Sequence, residues 1–164
     1  MKVALAGALA AVRHARAFEL FYAELQSARE LPAYRKLLTA LLAGFGALGD
    51  ARAAAVLTDF VNGSVPALQA VALESLGNLA LPETFDLIAG VLRDTQRSPD
   101  IRISSAKALA NYGGIAAAKV LSDQLGTEKD TRVRRAINDA LERLGGRPDF
   151  QKLSVTGSPA RLRW

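Results

Sequence analysis

The chain has 164 residues, half of them hydrophobic but only 6% aromatic, and its 21 basic against 16 acidic residues leave a net charge of +5. That length suffices for one domain with a substantial core, and the Ala, Leu and Val that dominate its apolar content favour helices over sheets. Cysteine is absent and His14 is the single histidine, which excludes a disulfide framework, a thiolate metal site, a cysteine nucleophile and a multi-histidine metal centre. Mechanisms built on Asp, Glu, Ser or Tyr remain open, and a histidine triad would have to use His14.

The chain opens on "MKVALAGALAAVRHARA", which has the charge, apolar stretch and small-x-small ending of an export signal. The apolar part, Val3 to Val12, is too short to span a bilayer. The same residues also form the first unit of an internal repeat, and that reading leads to the expectation of a cytoplasmic protein.

Segments beginning at Met1, Leu37, Leu68, Ile101 and Val133 align in consistent columns, with starts 36, 31, 33 and 32 residues apart. Eight residues on stand Leu9, Phe45, Leu76, Leu109 and Leu141; three further on, Val12, Leu48, Leu79, Tyr112 and Leu144. These offsets are close to two and three helical turns, so the large residues share one face, the candidate core. Small columns lie between them: Ala4, Ala40, Val71, Ser104, Ala136, then Ala8, Gly44, Ser75, Ala108, Ala140. Small side chains at fixed positions let a neighbouring helix approach closely.

Each unit then breaks, at "LGDAR", "LALPE", "YGGIA" and "LGGRP". Glycine suits a left-handed cap and proline the first turn of the next helix, so each break predicts a turn between helices. A second helix follows with paired apolar positions, Leu20 and Phe21, Val56 and Leu57, Leu87 and Ile88, Val120 and Leu121, and a last core position at Leu25, Val61, Leu92 and Leu125. Helix pairs repeated about every 33 residues predict an all-α fold, an α-solenoid of stacked antiparallel pairs.

The segments "PDIRISSAKALANYGG", "TRVRRAINDALERLGG" and, more faintly, "LQAVALESLGNLALPE" resemble HEAT repeats, especially the short bacterial type also found in phycobilin lyases. The resemblance covers roughly residues 1–146 and implies about four and a half HEAT-like repeats, followed over 147–164 by an aborted helix and a basic tail. It also implies an inter-repeat bonding role for Arg102 and Arg134, which share a column. The first unit departs from the pattern with "VRH" in place of Leu-Gly-Asp, and the second has Leu38 where arginine is expected.

Solenoid ends ordinarily carry polar capping units, yet "MKVALAGALAAV" holds one charge. Leu5, Leu9 and Val12 are therefore candidates for contact with a protein partner or with further repeats. Membrane contact is the weaker alternative, because the helix lacks the strongly basic face of interfacial anchors.

Charge is balanced up to Thr131, so the whole excess falls between Arg132 and Trp164. Arg132, Arg134, Arg135, Arg143, Arg147, Lys152, Arg161 and Arg163 form a candidate anion-binding end for an acidic protein or nucleic acid. Against that stands a scaffold role, with Arg135 and Asp139, and Asp139 and Arg143, spaced for surface pairing along a helix. If the HEAT arrangement holds, the second helices line a concave face with Glu19, Tyr22, Thr58, Asp59, Asp86, Lys119 and Asp123; such a stripe is also an ordinary wet helix face.

The expected function is a noncatalytic protein–protein interaction scaffold or adaptor, a subunit or segment of a larger assembly, with no metal and no cofactor. The alternative is a nucleic-acid-associated protein using the basic end. An enzyme comes third, either a HEAT-like DNA glycosylase, for which Trp164 is the lone tryptophan, or a phycobilin lyase, for which no cysteine or histidine cluster is present.

Overall fold

The computed structural model describes residues 16–29 and 32–145. The N-terminal segment with Leu5, Leu9 and Val12, His14, and the tail with Arg147, Lys152, Arg161 and Arg163 lie outside the described residues. Eight α-helices are present among the described residues: α1 (Ala17–Ala28), α2 (Arg35–Leu48), α3 (Ala53–Val61), α4 (Pro66–Leu79), α5 (Pro82–Arg93), α6 (Pro99–Tyr112), α7 (Gly114–Thr127) and α8 (Thr131–Gly145). A 3₁₀ turn, Pro32–Tyr34, leads into α2.

The helices form an α-solenoid of two layers. The first helices of successive repeats, α2, α4, α6 and α8, lie side by side in close backbone contact. Each second helix packs chiefly on the first helix of the following repeat: α1 on α2, α3 on α4, α5 on α6, α7 on α8. The core runs between the layers. Leu37, Leu68, Ile101 and Val133 are buried, as are Phe45, Leu76 and Leu109, while Leu141, Leu79 and Tyr112 are half-buried. The sequence pairs Leu20 with Phe21 as core, but Leu20 is 53% exposed. The reason is the register of α1, which buries Ala17, Phe21, Leu25 and Ala28, one narrow stripe that leaves Leu20 to the side.

Small residues set the spacing of the first layer, though not by one column alone. A Cβ on Gly46 would lie 2.7 Å from the Ser75 Cα, and one on Gly77 would lie 2.7 Å from the Ala108 Cα. The approach therefore couples the expected column of Ser75 and Ala108 to a second, at Gly46 and Gly77, one half-turn further along the preceding helix.

Proline opens α4, α5 and α6, and Asp130 caps α8, its Oδ1 accepting from the backbone N–H of Arg132 at 2.8 Å and of Val133 at 3.3 Å. The α6–α7 break is a single residue, Gly113, at φ 85 and ψ −175, a combination closed to residues with a Cβ. At the α4–α5 break the left-handed position is taken by Ala80, φ 51. Relief of its steric strain, about 1–2 kcal/mol, outweighs the ~0.4–1 kcal/mol that a glycine adds to unfolded-chain entropy. Ala80→Gly is thus expected to raise stability by up to about 1 kcal/mol, seen as a higher urea midpoint with an unchanged slope.

Candidate functional site

In the third, fourth and fifth repeats the residue after the first-column position has a common task. Gln69 donates from Nε2 to the Val61 carbonyl (3.3 Å) and to that of Gly63 (2.5 Å). Arg102 donates from Nε to the Leu92 carbonyl (3.0 Å), and Arg134 from Nη1 to the carbonyls of Leu125 (2.8 Å) and Glu128 (3.0 Å). Val61, Leu92 and Leu125 are the last core positions of α3, α5 and α7, so each donor satisfies an orphan carbonyl at a helix C-terminus. The second repeat places buried Leu38 there instead. Arg134 of the candidate anion-binding set is thus engaged within the scaffold.

Arg102 does more. It is 4% exposed and forms a two-pronged pair with Glu128, 7% exposed. Glu128 further accepts from Gln124 Nε2 (3.0 Å) and from the backbone N–H of Lys129 (3.0 Å) and Asp130 (2.9 Å). Burial pushes the Glu128 carboxyl up, but the Asp130 N–H, the Gln124 amide and Arg102 together outweigh it and hold the group below the ordinary glutamate value.

On the open side of the first layer, residues at equivalent positions of successive repeats meet. Arg132 bonds Asp100 (3.3 Å), Arg143 bonds the Asn111 side-chain oxygen (2.9 Å) and Lys107 stands 4.0 Å from Glu74. Arg132, Arg135 and Arg143 of α8 and Lys107 of α6 gather along one groove of about 330 Å³, floored by Ile103, Ala136 and Ala140. Among the described residues, Asp139 is the one carboxylate in its lining. The surface pairs expected of Asp139 are not formed: it bonds neither Arg135 nor Arg143 among the described residues. Arg135 precedes the acid, the weaker order for an i, i+4 pair, and Arg143 is drawn across to Asn111 on α6.

The candidate concave-face residues all lie on second helices, Glu19 and Tyr22 on α1, Thr58 and Asp59 on α3, Asp86 on α5, Lys119 and Asp123 on α7. All are exposed except half-buried Thr58. Glu19 is engaged: Arg52 lies 4.2 Å over the Phe18 ring and binds both Glu19 (2.7 Å) and Asp50 (2.6 Å). The Arg52 hydrogen bonds hold both carboxyls below their usual range. Lys119 and Asp123 pair with each other at 3.0 Å. Asp59 and Asp86 have no bonded partner among the described residues, and Leu20, Tyr22 and Ile115 are large apolar side chains left in water on the same layer.

Sequence reading missed Gln69, Glu128 and Lys107. Gln69 was available from its column, directly beside Leu68. Glu128 and Lys107 were not, because the Arg102 partner of Glu128 stands 26 residues earlier on another helix and the Glu74 partner of Lys107 belongs to the preceding repeat. Among the described residues no helix is long and apolar enough to cross a membrane, and no three acidic or histidine side chains gather to hold a metal ion.

Comparison with known proteins returns one family model, described as HEAT repeats, which matches residues 55–142. No curated protein matches the chain.

Proposed function

Since the chain belongs to the HEAT-repeat family, we propose that it is a noncatalytic scaffold or adaptor that binds other polypeptides as a subunit of a larger assembly. HEAT repeats commonly serve as protein-interaction scaffolds, and stacked helix pairs offer long faces suited to that work. The observation that carries the reading is the outer surface of the second-helix layer. Leu20, Tyr22 and Ile115 are 53%, 42% and 55% exposed there, in the same layer as Asp59 of α3 and Asp86 of α5, whose carboxylates have no bonded partner among the described residues. Exposed apolar side chains rimmed by polar ones suit a protein contact.

The apolar segment at Leu5, Leu9 and Val12 supplies a second contact in this reading. A tagged chain recovered from its native lysate should bring down a stoichiometric protein that survives nuclease treatment and is lost with Leu5→Glu plus Leu9→Glu. Recovery that collapses on nuclease treatment would instead support binding to nucleic acid, and substrate turnover by the purified chain would support an enzyme.

A further inference from the structure

Resting on the scaffold reading, we propose that the groove between α6 and α8 is the docking site for an acidic polypeptide segment with interspersed apolar residues. The assignment rests on which cations in the groove are already neutralised. Arg132 is, by Asp100 at 3.3 Å and Asp130 at 3.8 Å. Lys107 is only loosely held, with Glu74 4.0 Å away. Arg143 is oriented by Asn111, a neutral acceptor that fixes the guanidinium without cancelling its charge. Arg135 has no bonded partner among the described residues.

Two arginine forks are thus available, eight residues and about 12 Å apart on one helix face. Such forks bind carboxylates through paired N–H donors. The floor between them is apolar, Ile103, Ala136 and Ala140, and matches small or aliphatic side chains set between the carboxylates of an incoming segment. Asp139, in the middle of the stripe and with no bonded partner among the described residues, is placed to accept a backbone N–H from that segment.

Three other occupants fit less well. A phosphate backbone would bring a row of negative charge past Asp139, and among the described residues no aromatic side chain lines the groove for a base to stack upon. The chain's own sequence beyond Gly145 carries Arg147, Lys152, Arg161 and Arg163 against Asp149, so it meets the groove with like charge. A second copy carries the same net charge of +5, which opposes self-association.

The test uses the full chain and a fluorescein-labelled peptide repeating Glu-Glu-Leu, followed by anisotropy. The control probes are the same peptide with Gln for every Glu and an oligothymidylate of equal charge. Two double variants carry the same change in net charge at different places: Arg135→Glu with Arg143→Glu in the groove, and Arg93→Glu with Lys129→Glu beside the interhelix turns. Circular dichroism verifies that both fold. The acidic peptide should bind, weaken with added salt and lose at least about tenfold in affinity in the groove variant. The turn variant should stay within about twofold, and amide shifts at Ile103, Ala136 and Ala140 should move on titration.

Equal losses in the two variants overturn the proposal in favour of a diffuse field. Tighter binding of the oligothymidylate, or wild-type self-association abolished by the groove variant, overturns it in favour of nucleic acid or a second copy. Capture from lysate separates the two levels. If the groove variant still recovers a nuclease-resistant partner while the peptide fails to bind, the groove assignment falls and the scaffold stands; if recovery depends on nucleic acid, both fall.

Discussion

Replacing Arg102 by methionine is expected to destabilise the fold by about 3–5 kcal/mol, because it leaves the Glu128 carboxylate buried without its cation and the Leu92 carbonyl without its donor. The size follows from burial: surface pairs such as Lys119 with Asp123 contribute at most about 1 kcal/mol, whereas Arg102 and Glu128 are 4% and 7% exposed. The test is a double-mutant cycle in urea. Arg102→Met with Glu128→Gln should be less destabilised than the sum of the single changes, because a glutamine oxygen can still accept the N–H groups of Lys129 and Asp130 while carrying no charge to strand. A pair of independent surface residues would show additive losses instead.

The same cycle has a pH signature. The Glu128 carboxyl titrates below its ordinary value of 4.5, so the folded state binds this proton less readily than the unfolded one. Its contribution is fully present above about pH 4.5 and is lost as pH falls through the depressed folded-state value. Wild-type stability should therefore decline on acidification beneath that point more steeply than that of the Arg102→Met, Glu128→Gln protein. Identical slopes would mean that Glu128 is not the group whose protonation undoes the inter-repeat clamp.

Gly77→Ala is expected to destabilise the fold by at least about 3 kcal/mol, against the ~1 kcal/mol that alanine gains over glycine in a helix interior. The new methyl would meet the backbone of Ala108, its Cα at 2.7 Å and its carbonyl group, so no rotamer change relieves it and α4 must move away from α6. The contacting atoms are main-chain, and Ala108→Gly should consequently give no rescue. Gly44→Ala provides the contrast. Its Cβ would lie 2.6 Å from the edge of the Phe21 ring, and Phe21→Leu in the same chain should recover part of the loss. Thermal unfolding of the four variants distinguishes the two kinds of contact, and rescue of Gly77→Ala by Ala108→Gly would contradict the backbone assignment.

The repeat was legible because its large residues keep a helical period: Leu37, Leu68, Ile101 and Val133 fall in register and are all buried. The role of Arg102 was legible from its column too, through the family pattern. What periodicity cannot carry is the identity of a partner across repeats. It marks Gly44 and Ser75 as small and inward, yet Gly44 receives a phenylalanine ring and Ser75 a backbone. Likewise, i, i+4 spacing predicts pairs for Asp139, while the competing partner of Arg143, Asn111, sits 32 residues earlier in the chain. The groove was half visible. Three of its arginines stand in one stretch of sequence, but Lys107 joins them only once α6 and α8 lie side by side, and Arg134, their neighbour in sequence, turns to the α7 end.

The spacing of the first-helix layer is set by main chain against main chain at Gly46–Ser75 and Gly77–Ala108, whereas successive second helices make little backbone contact with one another. In mechanical terms the first layer is the inextensible fibre of a bent beam and the second is its compliant side. Any change in curvature would therefore fall on the gaps among α3, α5 and α7, with α4 and α6 held at their distance by the Gly77–Ala108 contact. Under the scaffold reading, a partner seated across the compliant side would be the one to feel the pitch of the spring.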